Sequence, residues 1–340
     1  MYRFYYDQIP DEAQREAYTL IETAARQGQD TVSLPYAEWM GSRNELGIKI
    51  LRLIDAVVGD NPSLFWLRTS IRSCLNQNKV YVTLSYFYPE ERYRKQLNEL
   101  NLEVRRVLKA VFPDGWSSLS DIRREKMLFD YMVSSLSYRH SAIEENSNFY
   151  KEDYGDSWSP YGALVEHDAV CQGIAMAFKM LCDEVDIPCI VVFGDAGGGH
   201  AWNIVRIDRR FFHVDCTWDL SESINREIPY MRYRFFNLPD RMLLQHRTPW
   251  HGFLPKCTSL HYNPFSMRGL CAKDRSEIIT IAVSTLQKGE KRFAILLDMP
   301  ALTDDNFKAI VNEIFQRVKI NFRYYSDSER QFLGIVVVEQ

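Results

Sequence analysis

The sequence predicts an α+β protein, on three observations. Four segments carry apolar residues at helical spacing, at 11–28, 45–58, 89–112 and 174–185. Two pairs of β-rich runs turn back at short polar links, 67–75 with 80–88 and 200–207 with 211–217. One run, Pro188–Gly194 (PCIVVFG), is continuously apolar, as a strand buried on both faces must be. At 340 residues the chain exceeds one domain of about 100–200 residues. Composition shifts divide it at 1–115, 116–262 and 263–340. With 46% hydrophobic and 25% charged residues it is an ordinary packed protein, which excludes disorder and low complexity. Forty-one Lys+Arg against forty-five Asp+Glu give a net charge of −4, without the basic surplus that nucleic-acid binding needs.

The first part opens with a helix over Asp11–Gly28, ended by a glycine suited to the left-handed C′ position. A second covers Glu45–Val58, with Ile48, Leu51, Ile54 and Val58 on one face. Leu67–Leu75 and Val80–Tyr88 form a hairpin about Asn76-Gln77-Asn78-Lys79. Pro89 starts a long charged helix striped by Leu97, Leu100, Val104 and Leu108, a solvated amphipathic element. Phe112–Asp121 (FPDGWSSLSD) is the first boundary, with Ser118 or Ser120 as cap of the next helix. The polar stretch 141–160 reads as a long acidic loop. In the last part, Glu277–Ser284 and Arg292–Leu297 read as strands turned by Lys288-Gly289-Glu290. Thr303–Val318 reads as a helix, and Ile320–Tyr325 and Gly334–Val338 as strands. This is a small α/β appendage without chemistry of its own.

The chemistry lies between Val170 and Asp219. Ile174, Ala177, Phe178, Leu181, Cys182 and Val185 mark the buried face of a helix whose first turn carries Cys171. The partial positive charge and unpaired N–H groups there favour a nucleophilic thiolate. A two-residue loop at Asp208-Arg209 puts Ala201, Val205, Ile207, Phe212, Val214 and Cys216 on one apolar face. His200, Trp202, Asp215 and Thr217 then share the other, with His200 opposite Thr217 and diagonal to Asp215. A thiol, an imidazole and a carboxylate so placed are the nucleophile, base and orienting acid of covalent acyl transfer. His213 reads as a surface or cleft-edge residue, and His246, His251 and His261 as loop histidines without metal-ligand spacing. No CxxC occurs among the seven cysteines, so no metal, cofactor or disulfide is expected. No leader-like N-terminus and no apolar stretch of about 18–20 residues is present, so a cytoplasmic chain without membrane contact is expected.

Three blocks, AVCQGIAMAF, GHAWNIV and HVDCTWD, resemble the signature of the transglutaminase-like superfamily: Cys-x-Gly at a helix start, His-Ala-Trp on a strand, Val-Asp-x-Thr on the next. They stand in order, 29 residues from Cys171 to His200 and 15 more to Asp215. The likeness extends over about residues 118–250. It implies a papain-like α+β core in which the Cys helix packs on an antiparallel sheet. It also implies Cys171 as nucleophile, His200 as base and Asp215 as orienting acid. Ile174 and Leu220 depart from common bacterial patterns without touching the triad. The Cys171 backbone N–H is the expected oxyanion donor, with Tyr138 as a candidate second donor. Trp202 and Trp218 are the candidate walls for a peptide substrate, and the acidic stretch Glu144–Asp156 a candidate selector of basic ones. The expected function is acyl transfer at peptide or isopeptide bonds, foremost as a cysteine peptidase. A glutamine transglutaminase or deamidase, and a non-catalytic interaction module, are the alternatives.

Overall fold

The computed structural model describes residues 2–140, 155–220, 227–228, 230–326 and 331–338. The chain divides into two compact units, Met1–Phe211 with His246–Pro255, and Phe212–Gln245 with Lys256–Gln340.

The first unit begins with helices α1 (Phe4–Gln8), α2 (Glu12–Arg26) and α3 (Arg43–Asp60). Asp11 caps α2 by accepting from Gln14 N at 2.7 Å, and Gly28 (φ +66°) ends it as its spacing predicts. Asp60, at the end of α3, ties all three helices together. It accepts from Tyr5 N at 3.0 Å, Tyr6 N at 2.9 Å and the Tyr18 hydroxyl at 3.0 Å. Strands β1 (Thr31–Pro35), β2 (Leu67–Asn76) and β3 (Lys79–Tyr86) form an antiparallel sheet in the order β1-β3-β2. The β2–β3 hairpin turns at Gln77-Asn78, with Gln77 in the left-handed region at φ 52°. Strand β1 was not expected, although Val32 and Leu34 are buried in strict alternation with exposed neighbours.

Helices α4 (Glu90–Val111) and α5 (Asp121–Ser135) follow, with Pro89 and Ser120 at their N-caps. Two short parallel strands, β4 (Ser137–Tyr138) and β5 (Asp168–Ala169), then lead into helix α6 (Cys171–Glu184). Helix α6 packs on β6 (Cys189–Asp195) and β7 (Gly199–Ile207), which pair antiparallel, and β6 also pairs with β9 (Thr248–Pro249). Residues Cys189–Gly194 of β6 are all buried, as a continuous apolar run requires. Asn203 Nδ2 on β7 donates to Ala175 O of α6 at 3.0 Å, so the odd-numbered face of β7 meets the helix. Strand β7 ends at Asp208 and Arg209, with φ 47° and 64°. Two successive positive φ values are the type I′ signature of the two-residue loop the sequence predicts.

Strand β8 (Arg210–Val214) leads into the second unit, where α7 (Asp240–Leu243) follows. That unit carries a sheet in the order β10-β11-β13-β12, built of Cys271–Ala272, Arg292–Leu297, Phe332–Val337 and Phe322–Tyr325 respectively. Helices α8 (Arg275–Gln287) and α9 (Asp304–Val318) complete it around Ile278, Ile295, Ile310, Ile314 and Leu333. The expected strand at Glu277–Ser284 is therefore the middle of α8. Its β-branched run invites a strand reading, yet Asp274 accepts from Glu277 N at 2.9 Å and starts a helix. Ile278, Ile279, Ala282 and Leu286 then face the core at helical spacing. Among the described residues, no helix is long and apolar enough to cross a membrane.

Candidate active site

Cys171 is the first residue of α6, and Val170 at the N-cap gives that turn no side-chain hydrogen bond. The approach to it is held from two sides. Strand β4 pairs Tyr138 with Ala169, and Arg139 N donates to Ala169 O at 3.1 Å. From the other side Val170 N donates to Ser157 O at 2.9 Å. The 157–159 backbone crosses so close to the helix that a Cβ on Gly173 would lie 2.7 Å from Ser157 O and 2.6 Å from Ser159 O. That crossing is the physical reason for the glycine of the Cys-x-Gly block.

The crossing segment is anchored by Asp156. Its carboxylate accepts from the Tyr88 hydroxyl, from Arg92 at 2.9 Å and from Gln96 Nε2 at 2.6 Å. Asp156 is thus buried in a network and is not part of a solvated acidic surface. The rest of the acidic stretch, 144–154, lies outside the described residues.

His200 stands near the start of β7, paired with Gly194 on β6, and is 9% exposed. Its ring stacks on Trp202, with centroids 5.9 Å apart and planes at 17°. A Cβ on Gly194 would lie 2.7 Å from the Trp202 ring, so this glycine makes the room in which the indole backs His200. Trp202 is only 1% exposed. It is a wall behind the imidazole in this arrangement. Cys171 is likewise buried, at 4%.

The second unit holds Asp215, fully buried, with its backbone N donating to Phe235 O at 3.0 Å. Its Oδ1 accepts from Trp218 N at 3.3 Å. The Trp218 ring packs edge-on against Phe235 at 5.5 Å. Tyr138, in the first unit, is half-buried with its ring edge-on to His140 at 4.9 Å, one strand away from the segment entering Cys171.

Sequence reasoning missed a cluster in the second unit. His213 is 1% exposed and does not face solvent. Its Nε2 lies 2.9 Å from Asp240 Oδ1, which also accepts from Cys257 N at 3.2 Å. Burial opposes it, yet these hydrogen bonds hold the Asp240 carboxyl below the ordinary carboxylate value. Ligand atoms of His213, Asp240 and Cys257 lie within 4.8 Å of one another, and among the described residues this is the group that could hold a metal ion. Alternation on the strand was the available signal, since His213 shares a parity with the buried Asp215.

Residues 117–216 match the Transglutaminase-like superfamily, a segment that contains Cys171, His200 and Asp215. This segment is the part of the chain that carries the transglutaminase-like match. No curated protein matches the chain. Among solved structures it is similar to a TGase, at 15% identity and TM-score 0.31 over 55% of this chain and 50% of that one. It is also similar to a protein assigned as a cysteine protease from Cytophaga hutchinsonii, at 12% identity and TM-score 0.26 over 53% and 65%. The chain spans about half the length of the first. Within the matched segment, α6 and the β6–β7 pair supply the Cys-bearing helix on antiparallel strands that the sequence signature implies.

Proposed function

We propose that the transglutaminase-like segment catalyses thiol-dependent acyl transfer at peptide or isopeptide bonds, acting as a cysteine peptidase. One observation carries the reading. Cys171 opens the first turn of a helix packed on the strand that bears His200, and the superfamily match encloses both. Cys171 is the nucleophile, His200 the base and Asp215 the orienting acid. The Cys171 proton passes to His200 as sulfur bonds to the scissile carbonyl carbon. The resulting oxyanion is met by the Cys171 backbone N–H, with Tyr138 as the second candidate donor. Collapse breaks the C–N bond, and His200 returns the proton to the leaving amine. Water then attacks the thioester, His200 takes its proton, and the acid product leaves the restored thiol. Trp202 acts through His200 as a positioning residue, and Trp218 is the candidate substrate wall.

The test is labelling with a panel of peptide electrophiles, read by mass spectrometry, beside turnover of matched peptides with and without an added amine. Modification at Cys171, absent in His200→Ala, with hydrolysed peptide as product supports the peptidase reading. Amine incorporation in place of hydrolysis assigns a transglutaminase. Absence of both labelling and turnover in folded protein leaves a non-catalytic interaction module.

A further inference from the structure

The first unit holds a cavity of about 270 Å³ that shares no residue with the 117–216 segment. Its walls come from α1 and the residue after it, from α2, from the 38–40 turn, from α3 and from the 251–253 segment, and the apolar share is Tyr5, Ile9, Ile48, Leu53, Ala56 and Phe253. Two polar atoms on this wall are buried without a hydrogen-bond partner, Trp39 Nε1 and His251 Nε2. His251 is only 7% exposed, its ring set 4.7 Å from Tyr5 and 5.6 Å from Phe253. Burial, reinforced by Arg52, lowers the His251 imidazole to about 4, so it is neutral at physiological pH. Buried polar groups are nearly always satisfied, and a pair left open on one cavity wall points to a missing ligand.

The polar complement of the wall specifies that ligand. Trp39 Nε1 can only donate. Lys49 and Arg52 also line the cavity and can only donate, while Gln14 offers both an amide donor and a carbonyl acceptor. Arg52 is set in place by Asp55 at 3.0 Å and by stacking over Trp250 at 4.2 Å. Donors therefore outnumber acceptors around an apolar chamber. A volume just below the roughly 300–1,000 Å³ of drug-sized sites suits a compound of about one ring.

We propose that this cavity binds a small amphipathic carboxylate, its apolar body between Tyr5, Leu53 and Phe253 and its acidic oxygens on the Trp39, Lys49 and Arg52 donors. Isothermal titration of the full chain with phenylacetate, hexanoate and the neutral isostere phenylacetamide tests it. At least one carboxylate should bind in the millimolar range or better, with the amide about tenfold weaker. Trp39→Phe removes the N–H and little volume, and should weaken the carboxylate by about fivefold or more. Ala56→Leu, confirmed folded by circular dichroism, should abolish binding by filling the chamber. The proposal is overturned if neither carboxylate binds at 10 mM or so, if the amide binds equally well, or if both variants bind like the wild type.

Discussion

Replacing Gly173 by Ala sets two effects of opposite sign against each other. As a helix residue, Ala should be favoured over Gly by about 1 kcal/mol. The added Cβ, however, would stand 2.6 Å from Ser159 O, 2.7 Å from Ser157 O and 3.1 Å from Ser159 N, all backbone atoms. Ordinary contact begins at 3.4 Å, so the 157–159 segment would have to retreat by about 0.8 Å. It is not free to do so. Val170 N holds Ser157 O at 2.9 Å, and Ser159 N and Oγ both donate to Asp156 O, at 3.0 and 2.7 Å. Overpacking of this kind costs about 1–3 kcal/mol, and a hydrogen bond stretched beyond reach about 1 more. Net destabilisation of about 1–3 kcal/mol follows once the helix gain is subtracted. Urea unfolding followed by far-UV circular dichroism reads it as a lowered midpoint at unchanged slope. A Gly173→Ala protein as stable as the wild type, or more so by the helix-propensity amount, refutes the close-crossing argument.

Asp156→Ala should lower stability by about 2–4 kcal/mol, because it strands Tyr88, Arg92 and Gln96 around a buried site, while Asp156→Asn should lose less; urea midpoints decide it. Burial pushes the Asp55 carboxyl up to about 6, against the pull of Arg52. The folded state therefore holds this proton more tightly than the unfolded one. Stability from protonated Asp55 is present below the ordinary 3.8 and is lost as pH rises through about 6. Relative to Asp55→Asn, the wild type should lose about 2 kcal/mol between pH 4 and 7, and parallel stability profiles would contradict the sign. Burial also pushes Cys257 far up and Cys271 up to about 12, so brief iodoacetamide treatment near neutral pH should leave both unmodified while labelling the exposed Cys74. Peptide mapping that finds Cys257 alkylated as fast as Cys74 would contradict the burial.

What was legible in the sequence was chiefly local. The Gly28 stop of α2, the amphipathic stripe of α4 and the all-apolar β6 are dictated by neighbours a few residues away. So was the Asp208-Arg209 turn, because a two-residue loop demands positive φ at both positions. Cys171 at a helix start was readable from the 3.6-residue period beyond it. The errors came where distant partners decide. Glu277–Ser284 is β-branched enough to suit a strand, and the Asp274 cap together with packing against α9 makes it a helix. Asp156 looks like one more loop acid until Tyr88, Arg92 and Gln96 arrive from 60 to 68 positions away in the chain. His251 reads as a loop histidine because the rings that enclose it, Tyr5 and Phe253, include one from the opposite end of the unit. Gly173 of the signature and Gly194 of the apolar strand were visible as letters, and only the backbone crossing at the first and the indole at the second say why they are needed.

The central claim is that Cys171 is a nucleophile whose proton His200 takes. Its most direct measurement is the rate of Cys171 alkylation by iodoacetamide at neutral pH, in a Cys74→Ser background, for wild type and His200→Ala. The account predicts fast modification at Cys171 and a fall of about tenfold or more when the imidazole is removed. Equal rates in two folded proteins, or a Cys171 that stays unmodified in the wild type, would contradict it.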